Sequence, residues 1–163
     1  MTLFAGTNET ASRSYDLMVA VMAELVAAYT ELNVTPPDRR YIWVGVPAVD
    51  CEQLVVAYNR LYTGVPGQEA NEPEYLPVIQ RVVEMTIEVH RCVPVVEEGG
   101  EPPDPSAMQA AAETIIMDSW VVRRALENYP LLTGQLKAVG AQTHIEAQGG
   151  FAGFSNVFGL GLP

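Results

Sequence analysis

The sequence has few of the residues from which catalytic and nucleic-acid-binding sites are usually built. Its 163 residues include one lysine, two histidines and two cysteines, and acidic side chains outnumber basic ones by 20 to 9. The formal net charge of −11 predicts a surface that repels phosphate, so direct binding of nucleic acid is not expected. Passage of DNA along an acidic wall, without binding, remains compatible with this charge.

The histidines and cysteines form no catalytic or metal-binding pattern. His90 and His144 lie within strand-like segments, with no HExxH motif and no cysteine pair at ligand spacing, so solvated histidines are expected. Cys51 opens one predicted strand and Cys92 ends the next, which predicts reduced thiols that lie near each other across an antiparallel pair. Neither GxxxxGK[ST] nor GxGxxG occurs. We therefore predict no catalytic residue, metal or cofactor.

No segment is predicted to direct secretion or to cross a membrane. The first residues, Met1 to Ser14, are polar and lack an apolar core, and the stretch from Leu17 to Tyr29 is interrupted by Glu24. We expect a product of the cytoplasm.

The length of 163 residues predicts a single domain, 1–163, and hydrophobic periodicity predicts two helices and five strands in it. A flexible arm over residues 1–11 is expected to precede a helix from Ser14 to Asn33, capped by Ser12 or Ser14. Asp104 is the predicted N-cap of a second helix that ends near Asn128. The predicted strands are 41–46, 53–63, 78–93, 135–148 and 154–162. Because connections between consecutive strands are short, we predict an α+β fold with a mostly antiparallel sheet packed by two helices.

The last thirty residues predict a hairpin with an unusual second strand. Gly149-Gly150 lies between two strand-like runs, and a tight primed turn needs positive φ at its centre. On the second strand one face is nearly bare of side chains, which permits close approach of another backbone. The candidate interface residues of this hairpin are Phe151, Phe154, Gly159 and Gly161.

Two acidic, proline-rich loops, 64–77 and 94–103, are long for a small domain, and loops of that length usually carry function. Glu97, Glu98 and Glu101 are the interface candidates on the second loop. Either the loops line an axial channel or contact partners, or they are solvated on an outer rim.

Arg39 and Arg40 could bind an anion or pair with an acid of the same or a neighbouring subunit, and both are interface candidates. Asp50 and Glu52 alternate at a strand start, where hydrogen-bonded acids are a commoner outcome than a catalytic pair.

Three stretches, Pro37 to Leu54, His90 to Pro94 and Gln148 to Phe154, resemble a family of small proteins from the structural gene block of long-tailed phages of actinobacteria. The family is described as tail terminator or head-to-tail connector. The resemblance implies a hexameric ring in the virion that caps the tail tube, stops its polymerisation and joins it to the neck.

The implied partners are further copies of the chain, the major tail tube protein and a neck or head-completion protein, with DNA passing through the lumen unbound. The implied location is the head–tail junction of a virion that is made in the host cytoplasm. A connector or stopper of the neck is the alternative. An enzyme or small-molecule-binding domain is the competing class.

Overall fold

Two helices pack on one face of a five-stranded sheet. The computed structural model of the chain describes residues 9–68, 81–96, 99–128 and 137–162. The elements in chain order are α1 Glu9–Glu31, β1 Arg39–Val44, β2 Gln53–Thr63, β3 Arg81–Cys92, α2 Pro105–Asn128, β4 Lys137–Gln148 and β5 Phe151–Gly161. The strand order is β1-β2-β3-β5-β4, and every pairing except β1 with β2 is antiparallel. The predicted α+β fold is confirmed.

The core lies between the helices and the sheet. Every second residue of β3 faces the helices, from Val83 through Met85 and Ile87 to Val89, and all four are fully buried. The neighbouring strand β5 adds Phe154 and Phe158, and each such side chain contributes about 1.5–3 kcal/mol when it leaves water. The helices close the core with residues at helical spacing, namely Val21, Leu25, Ala28 and Tyr29 of α1 and Val121, Val122, Ala125 and Leu126 of α2.

The pairing of β1 with β2 is parallel although only residues 45–52 connect the two strands. Parallel neighbours usually need a crossover of about a dozen residues or more. Here β1 has only six residues and is at most about 20 Å long. The connection can therefore run back along the whole strand in a nearly extended conformation and start β2 beside the beginning of β1. We call this return segment, residues 45–52, the strap. The rule that short connections join antiparallel strands therefore fails for β1 and β2.

Helix α1 begins earlier than predicted, whereas helix α2 begins where it was predicted to begin. Helix α1 begins at Glu9, so residues 9–11 are helical and only 1–8 of the predicted arm fall outside the described residues. Helix α2 begins as predicted, since Asp104 accepts hydrogen bonds from the backbone N–H and the hydroxyl of Ser106. These hydrogen bonds lower the pKa of Asp104. The first half of α2 is nevertheless largely exposed, and predicted core residue Met108 faces solvent.

The terminal hairpin forms around the two predicted glycines. Gly149 and Gly150 have φ of 56° and 87°, and β5 begins directly after them at Phe151. Strand β5 lies inside the sheet between β3 and β4, so β4 and not β5 is at the edge. The bare face of β5 receives the chain's own loop, because a Cβ on Gly159 would lie 3.3 Å from Cβ of Pro66.

Candidate assembly surface

The outer edge of β1 has main-chain groups that no strand of the described residues pairs. The N–H of Arg39 donates to the carbonyl of Glu52 and the N–H of Gly45 donates to that of Tyr58, so the odd-numbered residues of β1 face β2. Alternation along a strand then directs the main-chain groups of the even-numbered residues 40, 42 and 44 outward. Among the described residues β1 pairs with β2 alone, which leaves an edge that another strand can extend.

An apolar patch continues from this edge onto the strap. Trp43 and Val44 at the end of β1 are 49% and 74% exposed, and Val46 and Val49 on the strap are 88% and 51% exposed. Scattered apolar side chains are normal on a protein surface, but four within seven consecutive residues form a patch of the kind found at interfaces. We call the β1 edge together with these four side chains the assembly surface.

The strap is held against the sheet by side chains that lie beneath it. The indole Nε1 of Trp43 donates to the carbonyl of Val46 at 3.2 Å, and the hydroxyl of Tyr41 donates to that of Ala48 at 3.3 Å. The Gln53 amide donates to the same Ala48 oxygen at 2.9 Å. Beside the β1 start, Arg39 forms an ion pair with Asp50. The strap therefore has a defined path, and Arg39 pairs with an acid of its own chain.

A disulfide joins the end of the strap to β3. Cys51 and Cys92 are bonded, with 4.7 Å between their Cα atoms, and they are the only cysteines of the chain. Their proximity across the antiparallel β2–β3 pair is as predicted, since Gln53 lies opposite His90. The prediction of reduced thiols is wrong for this structure. Cys51 and Cys92 each lie two residues beyond the paired residues Gln53 and His90, which brings their side chains within bonding distance. The sequence spacing alone does not show that a disulfide forms.

A buried ionic cluster lies next to the disulfide and connects the sheet to α2. The guanidinium of Arg91 makes two hydrogen bonds to the carboxylate of Asp118, at 2.7 and 2.8 Å, and a third to Glu52 at 2.7 Å. It also donates to the carbonyl of Thr35. Asp118 is fully buried, so its negative charge is balanced by the positive charge of Arg91 and not by water.

The cluster shifts the pKa values of two neighbouring groups. Burial acts to lower the pKa of Arg91, but the hydrogen bonds and charges of Asp118 and Glu52 outweigh it and raise that pKa. Burial, followed by the negative charge of Asp118, raises the pKa of the Tyr29 hydroxyl. Both groups therefore keep their ordinary protonation state at neutral pH. The arrangement connects β3 to α2 and to the strap.

The other predicted interface residues occupy varied positions. Arg40 and Glu101 are exposed, whereas Glu97 and Glu98 lie outside the described residues. Phe151 is half-buried, and its ring stacks on His90 with 5.5 Å between the centroids. Phe154 is fully buried in the core, and Gly159 and Gly161 are also buried. The structure thus brings Arg39 and Arg40 to the assembly surface, but not the residues of the hairpin.

Sequence reasoning missed the charged cluster. Arg91 interrupted the apolar face of β3, and Asp118 lies among apolar positions of α2, which was a signal that the two side chains pair. The prediction of solvated histidines is wrong for His90, which is 1% exposed and whose Nε2 lies 3.1 Å from Glu88. His144 is exposed on β4 as predicted.

The described part of the chain has neither a membrane-spanning helix nor a cluster of metal ligands. No helix there is long and apolar enough to cross a membrane. Within residues 9–68, 81–96, 99–128 and 137–162, no three His, Cys, Asp or Glu side chains are grouped to hold a metal ion. In comparisons with known proteins, no protein-family model matches the chain and no curated protein matches it significantly.

Proposed function

We propose that this chain is a structural subunit of the head–tail junction of a long-tailed phage, and that it acts there as a tail terminator. Its role is assembly rather than catalysis. The observation that carries the proposal is that, among the described residues, β1 and β4 form the two edges of the sheet without a further strand, and that β1 is flanked by exposed apolar side chains. The resemblance of three sequence stretches to tail terminators and connectors of actinobacterial phages gives this geometry its biological setting.

The two edges differ in chemistry, so they favour a repeated head-to-tail contact. The β1 edge carries Arg39 and Arg40, and the opposite edge strand β4 carries exposed Thr143, His144 and Glu146. An edge that pairs with a different edge of the next copy produces a heterologous interface, which closes into a ring when the rotation permits it. Main-chain hydrogen bonds of this kind give affinity, and the apolar patch adds buried area.

The ring would cap the last ring of tail tube subunits, end polymerisation of the tube and dock on the neck. A connector or stopper of the neck uses the same ring with different axial partners. Loss of the gene separates the two roles in phage particles. Without a terminator the uncapped tube continues to grow, so tails are overlong. Without a stopper the tails keep their normal length and the heads lose DNA.

Replacement of Val44 by proline tests the assembly surface. Val44 is exposed and its N–H points away from β2, so proline removes one outward donor without breaking a hydrogen bond of the β1–β2 ladder. The matched control is Val44→Thr, which keeps both the N–H and the β-branched shape. We expect rings for the parent protein and for Val44→Thr in light scattering and negative-stain images, and monomers for Val44→Pro.

Circular dichroism establishes that Val44→Pro is folded. Rings of parental size from folded Val44→Pro would show that the β1 edge does not form the contact. A monomeric parent protein that binds or converts a metabolite would support the competing class of small-molecule-binding domains.

A further inference from the structure

We propose that Cys51 and Cys92 form a redox-controlled clasp, whose closure fixes the strap and with it the apolar part of the assembly surface. The clasp itself follows from the contacts around the two sulfur atoms. Its effect on assembly rests on the proposed function, and the experiment below separates the two.

The two cysteines are held opposite each other by contacts other than the disulfide. Gln53 pairs with His90 in the β2–β3 ladder, which places the preceding strap residues beside the end of β3. One Glu52 carboxylate oxygen accepts a hydrogen bond from Arg91 at 2.7 Å, and the other accepts from the N–H of Cys92 at 3.2 Å. Glu52 also has a φ of 59°, so the backbone turns sharply between Cys51 and β2. These contacts bring the reduced thiols together before they are oxidised.

The disulfide is accessible, and it lies outside the helix–sheet core. Cys92 is exposed and Cys51 is half-buried, so a small thiol or disulfide can reach the pair. The helix–sheet core and the ion pair of Arg91 with Asp118 contain neither sulfur. The clasp therefore closes a surface segment onto a folded domain, and reduction releases that segment alone.

The oxidant that closes the clasp is a small disulfide such as oxidised glutathione. A thiolate of one cysteine attacks a sulfur of oxidised glutathione, which forms a mixed disulfide and releases one glutathione thiolate. The thiolate of the second cysteine then attacks the protein sulfur of the mixed disulfide and releases the second glutathione. The two protons of the cysteine thiols end on two reduced glutathiones, and excess reduced glutathione reverses both steps.

The reduced and oxidised states of the clasp correspond to the two environments of a virion protein, the host cytoplasm and the exterior of the cell. The cytoplasm keeps accessible thiols reduced, whereas the exterior of the cell lets disulfides persist. The strap carries Val46 and Val49, so an open clasp leaves these side chains on a segment that hydrogen bonds and the ion pairs Arg39–Asp50 and Arg91–Glu52 hold without a covalent bond to β3. Closure after release from the host would fix the surface within an assembled ring and resist its dissociation.

Hydrogen exchange measured by mass spectrometry tests the clasp. The full chain is compared after incubation with excess oxidised glutathione and with excess reduced glutathione, and thiol alkylation reports the state of the cysteines. We expect amides of residues 45–51 to exchange about tenfold faster in the reduced protein, because local opening is governed by local contacts. Amides of the buried half of α2, 118–126, should exchange equally in both states.

Cys51→Ser/Cys92→Ser is the control variant and should match the reduced protein under both treatments. Equal exchange of residues 45–51 in both states would overturn the proposal, as would thiols that remain alkylatable in excess oxidised glutathione. General loss of protection on reduction would also overturn it, because the bond would then hold the whole fold. Dilution of oxidised and reduced rings tests the link between the clasp and assembly. If both kinds of ring dissociate equally while exchange of residues 45–51 still depends on the redox state, the clasp exists but does not affect assembly.

Discussion

At the scale of single residues, the pair of Arg91 and Asp118 connects a strand to a helix through two buried charges. One charge comes from β3 and the other from α2, and both are almost completely removed from water. Desolvation of two charges costs several kcal/mol, which the short bidentate contact offsets. The pair therefore contributes less to net stability than to the choice of one helix position, because any other register of α2 would leave the buried Asp118 unpaired and Arg91 with Glu52 alone.

Arg91→Met is expected to lower the free energy of unfolding by about 3–5 kcal/mol, since Asp118 would remain buried without its partner. Urea unfolding of the parent and the variant measures the difference. The double variant Arg91→Met/Asp118→Leu should recover much of the loss, because it replaces both charges by apolar groups. A double variant at least as unstable as the single one would contradict this account of the cluster.

Gly153 is required by the close approach of β3. A Cβ at this position would lie 1.8 Å from the carbonyl oxygen of Val89, a backbone atom within the central β3–β5 pairing. We expect Gly153→Ala to cost about 3 kcal/mol or more, because the strands must separate. Gly99→Ala is the control, since a Cβ there meets nothing within 4 Å and φ is not positive. Equal thermal midpoints of the two variants would refute the steric argument.

At the scale of elements, most of the fold could be predicted from periodicity and turn residues. The β2 bounds agree with prediction, and Gly149-Gly150 correctly predicted the hairpin. The strap could not be predicted, because its path depends on hydrogen bonds from Tyr41, Trp43 and Gln53 that become possible only once β1 and β2 are parallel. For the same reason the assembly surface was recognised only in part, through Arg39 and Arg40.

The contribution of the α2 cap to the stability of the protein should depend on pH through the carboxyl group of Asp104. Hydrogen bonds from Ser106 lower the pKa of this carboxyl, so its folded-state pKa lies below the unfolded value of 3.8. Its contribution to stability is therefore present above the unfolded pKa and is lost as the pH falls through the folded pKa. In urea titrations, Asp104→Ala should be less stable than the parent near neutral pH, and the difference should shrink in strong acid.

Asp104→Asn is the matched control for the charge. Asparagine keeps a capping oxygen but does not titrate in this range, so its stability relative to Asp104→Ala should change little with pH. A constant difference between the parent and Asp104→Ala across the acid range would contradict the role of the charged carboxylate.

At the scale of the whole molecule, the excess of negative charge is the dominant property. The net charge of −11 is distributed over a small chain that the proposed ring repeats several times. A lumen of this sign would keep DNA from adhering during passage, because like charges prevent phosphate from binding. The loop that carries Glu97, Glu98 and Glu101 is predicted to line the lumen and repel DNA there. Glu101, which lies within the described residues, is exposed.

Reversal of charge on this loop separates a lumenal or docking role from a position on the outer rim. Replacing Glu97, Glu98 and Glu101 by lysine should impair the joining of heads to tails or the passage of DNA, because phosphate would then be attracted to the wall. Phage carrying the triple variant are counted as plaque-forming units, and their particles are imaged for joined tails and for retained DNA.

The matched control reverses three exposed acids of the helices, Asp16, Glu113 and Glu127, and so changes the net charge by the same amount. If overall charge were responsible, both triple variants would lose infectivity equally. If the loop lines the channel or contacts the neck, only the loop variant should fail, and its failure should weaken as salt screens the new lysines. Loop-variant particles that join, retain DNA and infect normally would place this loop on the outer rim.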